Sequence, residues 1–325
     1  MEALGARVTR VRPCSISSPE HFVNLARAAA AKEGGGGGNK ESDDNNESSG
    51  DGENENDNKT TSSSSSSNSG GLFADQFENP ANALCHELGT GEEIWRQTRG
   101  RVNAFVCGAG TGGTLAGVAA ALKKKKKKEK RGNSFFSFFF PSPAPVAVVL
   151  VDPQGSSLFN AVTRGVAYSR TEAEGKRKAH QVDTVTEGVG LNRITNNFSK
   201  ALPLLDGAVA CSDEEAVEMA RHLLAHDGLF VGSSAAVNCV GAVKVARAMA
   251  KERGREEEKE SRNNNSFLSR FFSSSSSPPP VVVTLLCDGG GRHLSKFHSA
   301  EALRAAGVAA AVGAVRARGD VRFVL

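Results

Sequence analysis

No two of the six cysteines, at 14, 85, 107, 211, 239 and 287, form a C-x-x-C pair or stand at a metal-ligand spacing. Their scatter excludes a disulfide-stapled scaffold and a zinc module, and predicts free thiols in a reducing compartment. Long apolar runs are also missing. The longest, such as 146–151, fall far short of the ~20 residues a membrane helix needs, so a soluble chain with no membrane partner is expected. Met1 is followed by Glu2 with no apolar stretch near it, so no signal peptide or other targeting segment is visible. A strong charge of one sign is absent as well. The net charge is +4, and its most visible parts, the lysines 123–128 and the acidic residues of 41–57, lie inside compositionally biased tracts. Charge therefore names no partner, and no internal repeat is evident.

Three low-complexity tracts interrupt the 325 residues, at about 32–71, 123–145 and 251–280. Removing them leaves about 230 residues, enough for one sizeable core. The Gly, Asn, Asp, Glu and Ser tract at 33–71 cannot bury enough apolar surface to order itself and reads as a disordered insert. The six lysines of 123–128 and the FFSFFF that follows read as a solvated loop insertion, in preference to a nucleic-acid patch, because nothing else in the chain supports nucleic-acid binding.

Between the tracts, apolar strands alternate with helices. Residues 7–11 read as a strand, and SSPEHFVNLARAAAAKE as a helix with Pro19 in its first turn. Then come a strand at 102–107, a helix at 114–122, strands at 146–151 and 208–211, a helix at 235–251 and a strand at 281–287. Ser212 and Glu215 form a capping box that opens a helix closed by Gly228. Continuous apolar strands between helices predict a parallel sheet covered on both faces.

The stretch FVCGAGTGGTLAGV at 105–118 places glycines between a buried strand and a helix. Backbone N–H groups and the positive end of a helix dipole then converge on one point, a place for a phosphate, with Thr111 and Thr114 as further hydroxyl donors. The glycines are expected there because a β-carbon would block close backbone approach; a turn that merely packs strand on helix is the plainer alternative. Two phosphates compete. Gly108, Gly110 and Gly113 satisfy G-x-G-x-x-G, and Asp152 closes the next strand near the offset of a ribose-binding acid once the insert is subtracted, so an NAD(P)-binding oxidoreductase is one reading. A single phosphomonoester is the other. His222 and His226, at i and i+4, read as a solvated face more than a metal pair, and Cys239 reads as core.

The surrounding residues favour the phosphomonoester. NPAN at 79–82, GTGEEIW at 89–95, GAGTGGT at 108–114, VDPQGS at 151–156, EGVGLNRITNNF at 187–198, DGLFVGSSAAVNCVGAVKVA at 227–246 and LLCDGGGRHLSKF at 285–297 stand in one order. Together they resemble the fold type II pyridoxal-phosphate enzymes, the cysteine synthase and cystathionine β-synthase group, and most closely the cysteine-synthase-like branch of fungi and other eukaryotes. The resemblance implies a tryptophan synthase β-like α/β domain. It implies that Gly110, Thr111, Gly112, Gly113 and Thr114 cradle the phosphate of pyridoxal 5′-phosphate. It also implies that the segment 187–190, with Gly188, lies beside the cofactor ring and closes over an amino-acid substrate. The partner of the ring nitrogen, usually a serine, would come after the last strand, where the chain reads Cys287-Asp288-Gly289. Asp288 either takes that role, which would keep the ring nitrogen protonated, or caps a helix beginning near Arg292.

The same resemblance marks a gap. The family's cofactor-binding lysine lies in an S-x-K-[DN]-R-like motif followed by T-S-G-N-T, and no lysine of this chain has that context. The opening MEALGARVTRVRP resembles the middle of the family's small domain, so the expectation is an N-terminally incomplete enzyme. Its parts would be a small-subdomain remnant at 1–32, the insert at 33–71, and a phosphate-binding α/β domain at 72–325 with inserts at 123–145 and 251–280. The implied activity is β-replacement, serine or O-acetylserine plus sulfide to cysteine, without turnover by this chain alone. A non-catalytic remnant binding a phosphorylated ligand or partner is the rival. A homodimer in cytoplasm or mitochondria completes the expectation.

Overall fold

The computed structural model describes residues 2–12, 14–34, 71–132, 145–169, 182, 184–263, 279–308 and 320–324. The chain divides into two compact units, Met1–Asp75 and Gln76–Leu325. In the first, α1 (Phe22–Gly34) is the main element. Asn24 ties it to the preceding turn by donating to the carbonyls of Ile16 at 2.8 Å and Ser18 at 2.7 Å. Pro19 lies in that turn, outside the helix, and residues 7–11 join no strand among the described residues, which corrects both expectations.

The second unit is built on a parallel sheet in the order β3-β2-β1-β4: β1 Val102–Cys107, β2 Ala147–Pro153, β3 Gly207–Cys211 and β4 Val281–Val283. β1 is central, with Phe105 level with Val148 on one side and Val283 on the other. Side chains alternate across it. Ala104 and Val106 join a core with Val151, Ala236 and Val240, whereas Phe105 and Cys107 join another with Leu115, Val118 and Leu150. One core lies under α7 (Asp213–Asp227) and α8 (Ser233–Asn263), the other under α4 (Gly113–Gly132). The sheet is therefore covered on both faces. β4 is shorter than the apolar run suggests, because 284–287 leave the sheet.

The lysine run is the largest correction. α4 continues through 123–128 to Gly132, so the expected loop insertion begins as helix. Lys123 pairs with Asp206 at 2.9 Å, Lys124 with Glu87 at 3.6 Å and Lys125 with Glu92 at 2.6 Å. Lys126, buried, lies 5.5 Å over the Trp95 ring. Likewise α8 extends from Ser233 to Asn263, past the expected end at 251. The FFSFFF segment lies outside the described residues. His222 is buried beside His226 and Phe323, not on a solvated face. No described helix is long and apolar enough to cross a membrane.

Candidate active site

In this strand order the chain runs outward from β1 to β2 and β3, then returns to the other side of β1 as β4. The direction reverses between β1 and β4, where the carboxyl ends of neighbouring strands open a crevice. A cavity of about 730 Å³ lies there, lined by Gly110, Thr111, Gly112 and Thr114 from the glycine loop, by Glu187, Gly188 and Val189, and by 285–288 with His293. Of the residues singled out from sequence, Gly110, Thr111, Gly112, Thr114, Gly188 and Asp288 thus share one cavity, while Gly113 stands behind it.

Close packing shapes the loop. A β-carbon on Gly110 would lie 2.2 Å from the Gly188 carbonyl oxygen, one on Gly113 2.0 Å from Asn82 Oδ1, and one on Gly112, at φ +87°, 2.6 Å from the Phe198 backbone. Protein neighbours alone demand these glycines, a reason beyond the expected one. The consequence is an open cradle all the same. Among the described residues, nothing accepts from the backbone N–H groups of Gly110, Thr111, Gly112 or Thr114, whereas Gly113 N–H is turned to Thr111 Oγ1 at 3.3 Å. Three bonds pin the loop: Gly108 N–H to Asn238 Oδ1 at 2.7 Å, Gly190 N–H to the Ala109 carbonyl at 2.9 Å, and Thr195 Oγ1 to the Thr111 carbonyl at 2.7 Å.

The helical stretch before β1 supplies residues that sequence reasoning passed over. It comprises α2 (Ala81–Cys85), a π-helical turn (His86–Thr90) and α3 (Gly91–Thr98). Asn82 reaches Thr111 Oγ1 at 2.9 Å, and His86 Nε2 stands 3.1 Å from Thr114 Oγ1. Burial lowers the His86 pKa, so its imidazole is neutral near pH 7. The NPAN segment, which ends in Asn82, and the GTGEEIW segment after His86 were the available signal.

Opposite the cradle, Ser233 Oγ accepts from Glu187 N–H at 2.9 Å. The Glu187 carboxylate faces Lys296 Nζ at 3.2 Å and His293 Nδ1 at 3.6 Å. Asp288 Oδ2 pairs with His293 Nε2 at 2.8 Å, and its buried Oδ1 has no hydrogen-bond partner among the described residues. Gly289, without a side-chain cap, precedes the short turn Gly290–Arg292, so the helix-cap reading of Asp288 does not hold. Cys107 and Cys287 line the floor with Asn238 between them, its Nδ2 3.4 Å from the Cys287 sulfur. Burial is the first cause that raises the thiol pKa values of Cys107, Cys287 and neighbouring Cys239, the last to about 11; Cys287 adds to the rise at Cys107 and Cys239, and Asp288 to that at Cys287, so these thiols stay neutral and are poor nucleophiles.

Asp152 does not join this cavity. It lines a separate one of about 600 Å³, where its Oδ2 accepts from Phe159 N–H at 2.6 Å. The offset that suggested a ribose-binding acid counts positions along the chain, but β2 ends with this carboxyl turned to α5 (Leu158–Arg164), away from the glycine loop. The dinucleotide reading thereby loses the ribose-binding acid it relied on. Among the described residues, no lysine lines the glycine-loop cavity.

A parallel α/β domain with a glycine cradle at the strand-order reversal defines a class, and the comparison with known families agrees. The chain belongs to the pyridoxal-phosphate dependent enzymes, whose family model matches residues 1–257. It is similar to cysteine synthase 2 of Schizosaccharomyces pombe, 41% identical over 304 residues, or 94% of this chain and 59% of that protein. Cysteine synthase 2 of Neurospora crassa is 45% identical over 294 residues, 90% of this chain and 49% of that protein. A Saccharomyces cerevisiae protein, provisionally named a mitochondrial cysteine synthase, is 38% identical over 297 residues, 91% of this chain and 57% of its own. The chain thus spans about half the length of these relatives. Pyridoxal phosphate is the cofactor of this family, and the residues present fit its phosphate. Four backbone donors without acceptors among the described residues, and two threonine hydroxyls, lie at the N-terminus of a long helix.

Proposed function

We propose that this chain is the cofactor-holding part of a cysteine-synthase-like enzyme that exchanges the β-substituent of serine or O-acetylserine for sulfide. The observation that carries the reading is the single cavity shared by the glycine loop, the 187–190 segment and the exit of β4. Gly110, Thr111, Gly112 and Thr114 would hold the phosphate with Gly113 completing the loop behind them, Gly188 would stand beside the ring, and Asp288, oriented by His293, would hold a proton at the ring nitrogen. When bound, the cofactor supplies a sink for the electron pair left at the substrate α-carbon. The loop at Glu187, tied to Ser233, His293 and Lys296, covers the amino-acid substrate and excludes water. A homodimer in the cytoplasm or mitochondria belongs to the same reading.

That no lysine lines the cavity among the described residues favours a chain that retains the cofactor without a covalent bond and does not turn over alone. The test is to incubate the purified chain with pyridoxal phosphate, desalt it, and assay cysteine formation from O-acetylserine and sulfide. Retained cofactor that excess phosphate displaces, with no cysteine formed, is expected. Cysteine formation together with one lysine labelled on borohydride reduction would overturn the non-catalytic part. No retained cofactor at all would overturn the holding role.

A further inference from the structure

A threonine hydroxyl can donate to a phosphate only if its proton is not already spent on a protein acceptor. Both cradle threonines meet that condition through two side chains outside the cradle. Asn82 Nδ2 lies 2.8 Å from the Gln76 carbonyl, which can only accept, so this end of the amide is the donor. Thr111 Oγ1, 2.9 Å from the same nitrogen, must therefore accept from it, and it accepts from Gly113 N–H at 3.3 Å as well. Its own proton stays uncommitted. Thr90 Oγ1 lies 2.9 Å from His86 Nδ1 with no other acceptor among the described residues, a geometry that suits donation of its proton to that nitrogen in the Nε2–H tautomer. In that tautomer the neutral imidazole donates from Nε2 to Thr114 Oγ1 at 3.1 Å. Thr114, too, keeps its proton for the cavity.

We infer that Asn82 and His86 are positioning residues that fix both cradle threonines as phosphate donors, with Thr90 setting the His86 tautomer. The inference rests on the reading of residues 110–114 as the phosphate cradle, and it assigns the segment before β1 a function in cofactor affinity. The two side chains stand 29 and 28 residues from the hydroxyls they orient.

The test uses the full chain and two probes without an aldehyde, pyridoxine 5′-phosphate and pyridoxine, so that surface lysines do not react. Isothermal titration of His86→Leu should show about tenfold weaker binding of the phosphorylated probe, the cost of losing one donor to a charged group. Pyridoxine binding should not change. His86→Gln, which can still donate to Thr114, should recover most of the loss. In a Thr114→Val background His86→Leu should cost nothing further. Asn82→Leu and Thr111→Val should behave as the equivalent pair. If His86→Leu does not fold, Thr90→Val reads the same link, with an expected loss of about threefold. An undiminished effect of His86→Leu in the Thr114→Val background, or equal losses for both probes, would overturn the inference. A wild-type chain that does not prefer the phosphorylated probe would instead overturn the cradle reading and the inference with it. Loss of that preference in Gly112→Ala but not in the His86, Asn82 or Thr90 variants would leave the cradle standing and sink only the positioning residues.

Discussion

Asp152 closes β2 with its side chain only 1% exposed, and burial pushes its carboxyl up to about 7 against the pull of the Ser156 hydroxyl and the Phe159 and Leu158 amides. The unfolded chain ionises the same group near 3.8. Between those values the folded state binds more protons than the unfolded one, so stability falls as pH rises through the window and is level outside it. Asp152→Asn keeps an acceptor for the Phe159 N–H and removes the titration. Urea unfolding from pH 4 to 7.5 should therefore show the wild type losing up to a few kcal/mol relative to the variant, with the variant more stable at pH 7.5. Parallel pH profiles for the two proteins would show that the buried carboxyl does not titrate there. The residue also marks a limit of sequence reading. Its spacing from the glycine loop was legible, but its direction was not, because that is decided by Phe159 and the start of α5.

Elements held by nearby residues were readable, and those held by distant ones were not. The box opening α7 closes within four residues, Glu215 N–H to Ser212 Oγ at 3.2 Å and Ser212 N–H to Glu215 Oε2 at 2.9 Å, and its composition alone announced it. The lysine run carries no such local signal. Its helix depends on Glu87, Glu92 and Asp206, up to 83 positions away, and on the Trp95 ring. Lys126 is the telling member. Its stem is buried and its ammonium sits over Trp95 with the Gly100 carbonyl at 3.4 Å, whereas Lys127 is exposed. Lys126→Ala should destabilise the chain by about 1–2 kcal/mol through lost packing and cation–π attraction. Lys127→Ala should stay within roughly 0.5 kcal/mol. Urea midpoints at low and moderate salt check this, and equal effects of the two substitutions would return the run to the status of a solvated tract.

At the scale of the molecule, the site joins segments that the sequence separates by about 70 to 180 residues, and parallel topology is what brings them together. The motif segments themselves were legible. The residues that orient them, Asn82, His86 and Asn238, were not, since each acts through a hydrogen bond to a loop far along the chain. Every one of these residues, and every residue lining the cavity, belongs to the unit Gln76–Leu325. The unit also contains the whole sheet and both of the cores that cover it. Site and scaffold therefore fall on the same side of the division. A fragment comprising 76–325 should fold cooperatively and bind pyridoxine 5′-phosphate within about twofold of the full chain, since no donor to the phosphate is removed. Titration of both proteins, with urea unfolding in the presence and absence of the probe, measures it directly. A fragment that folds but binds at least tenfold more weakly would show that residues 1–75 complete the site, and the boundary of the binding unit would have to be drawn around both.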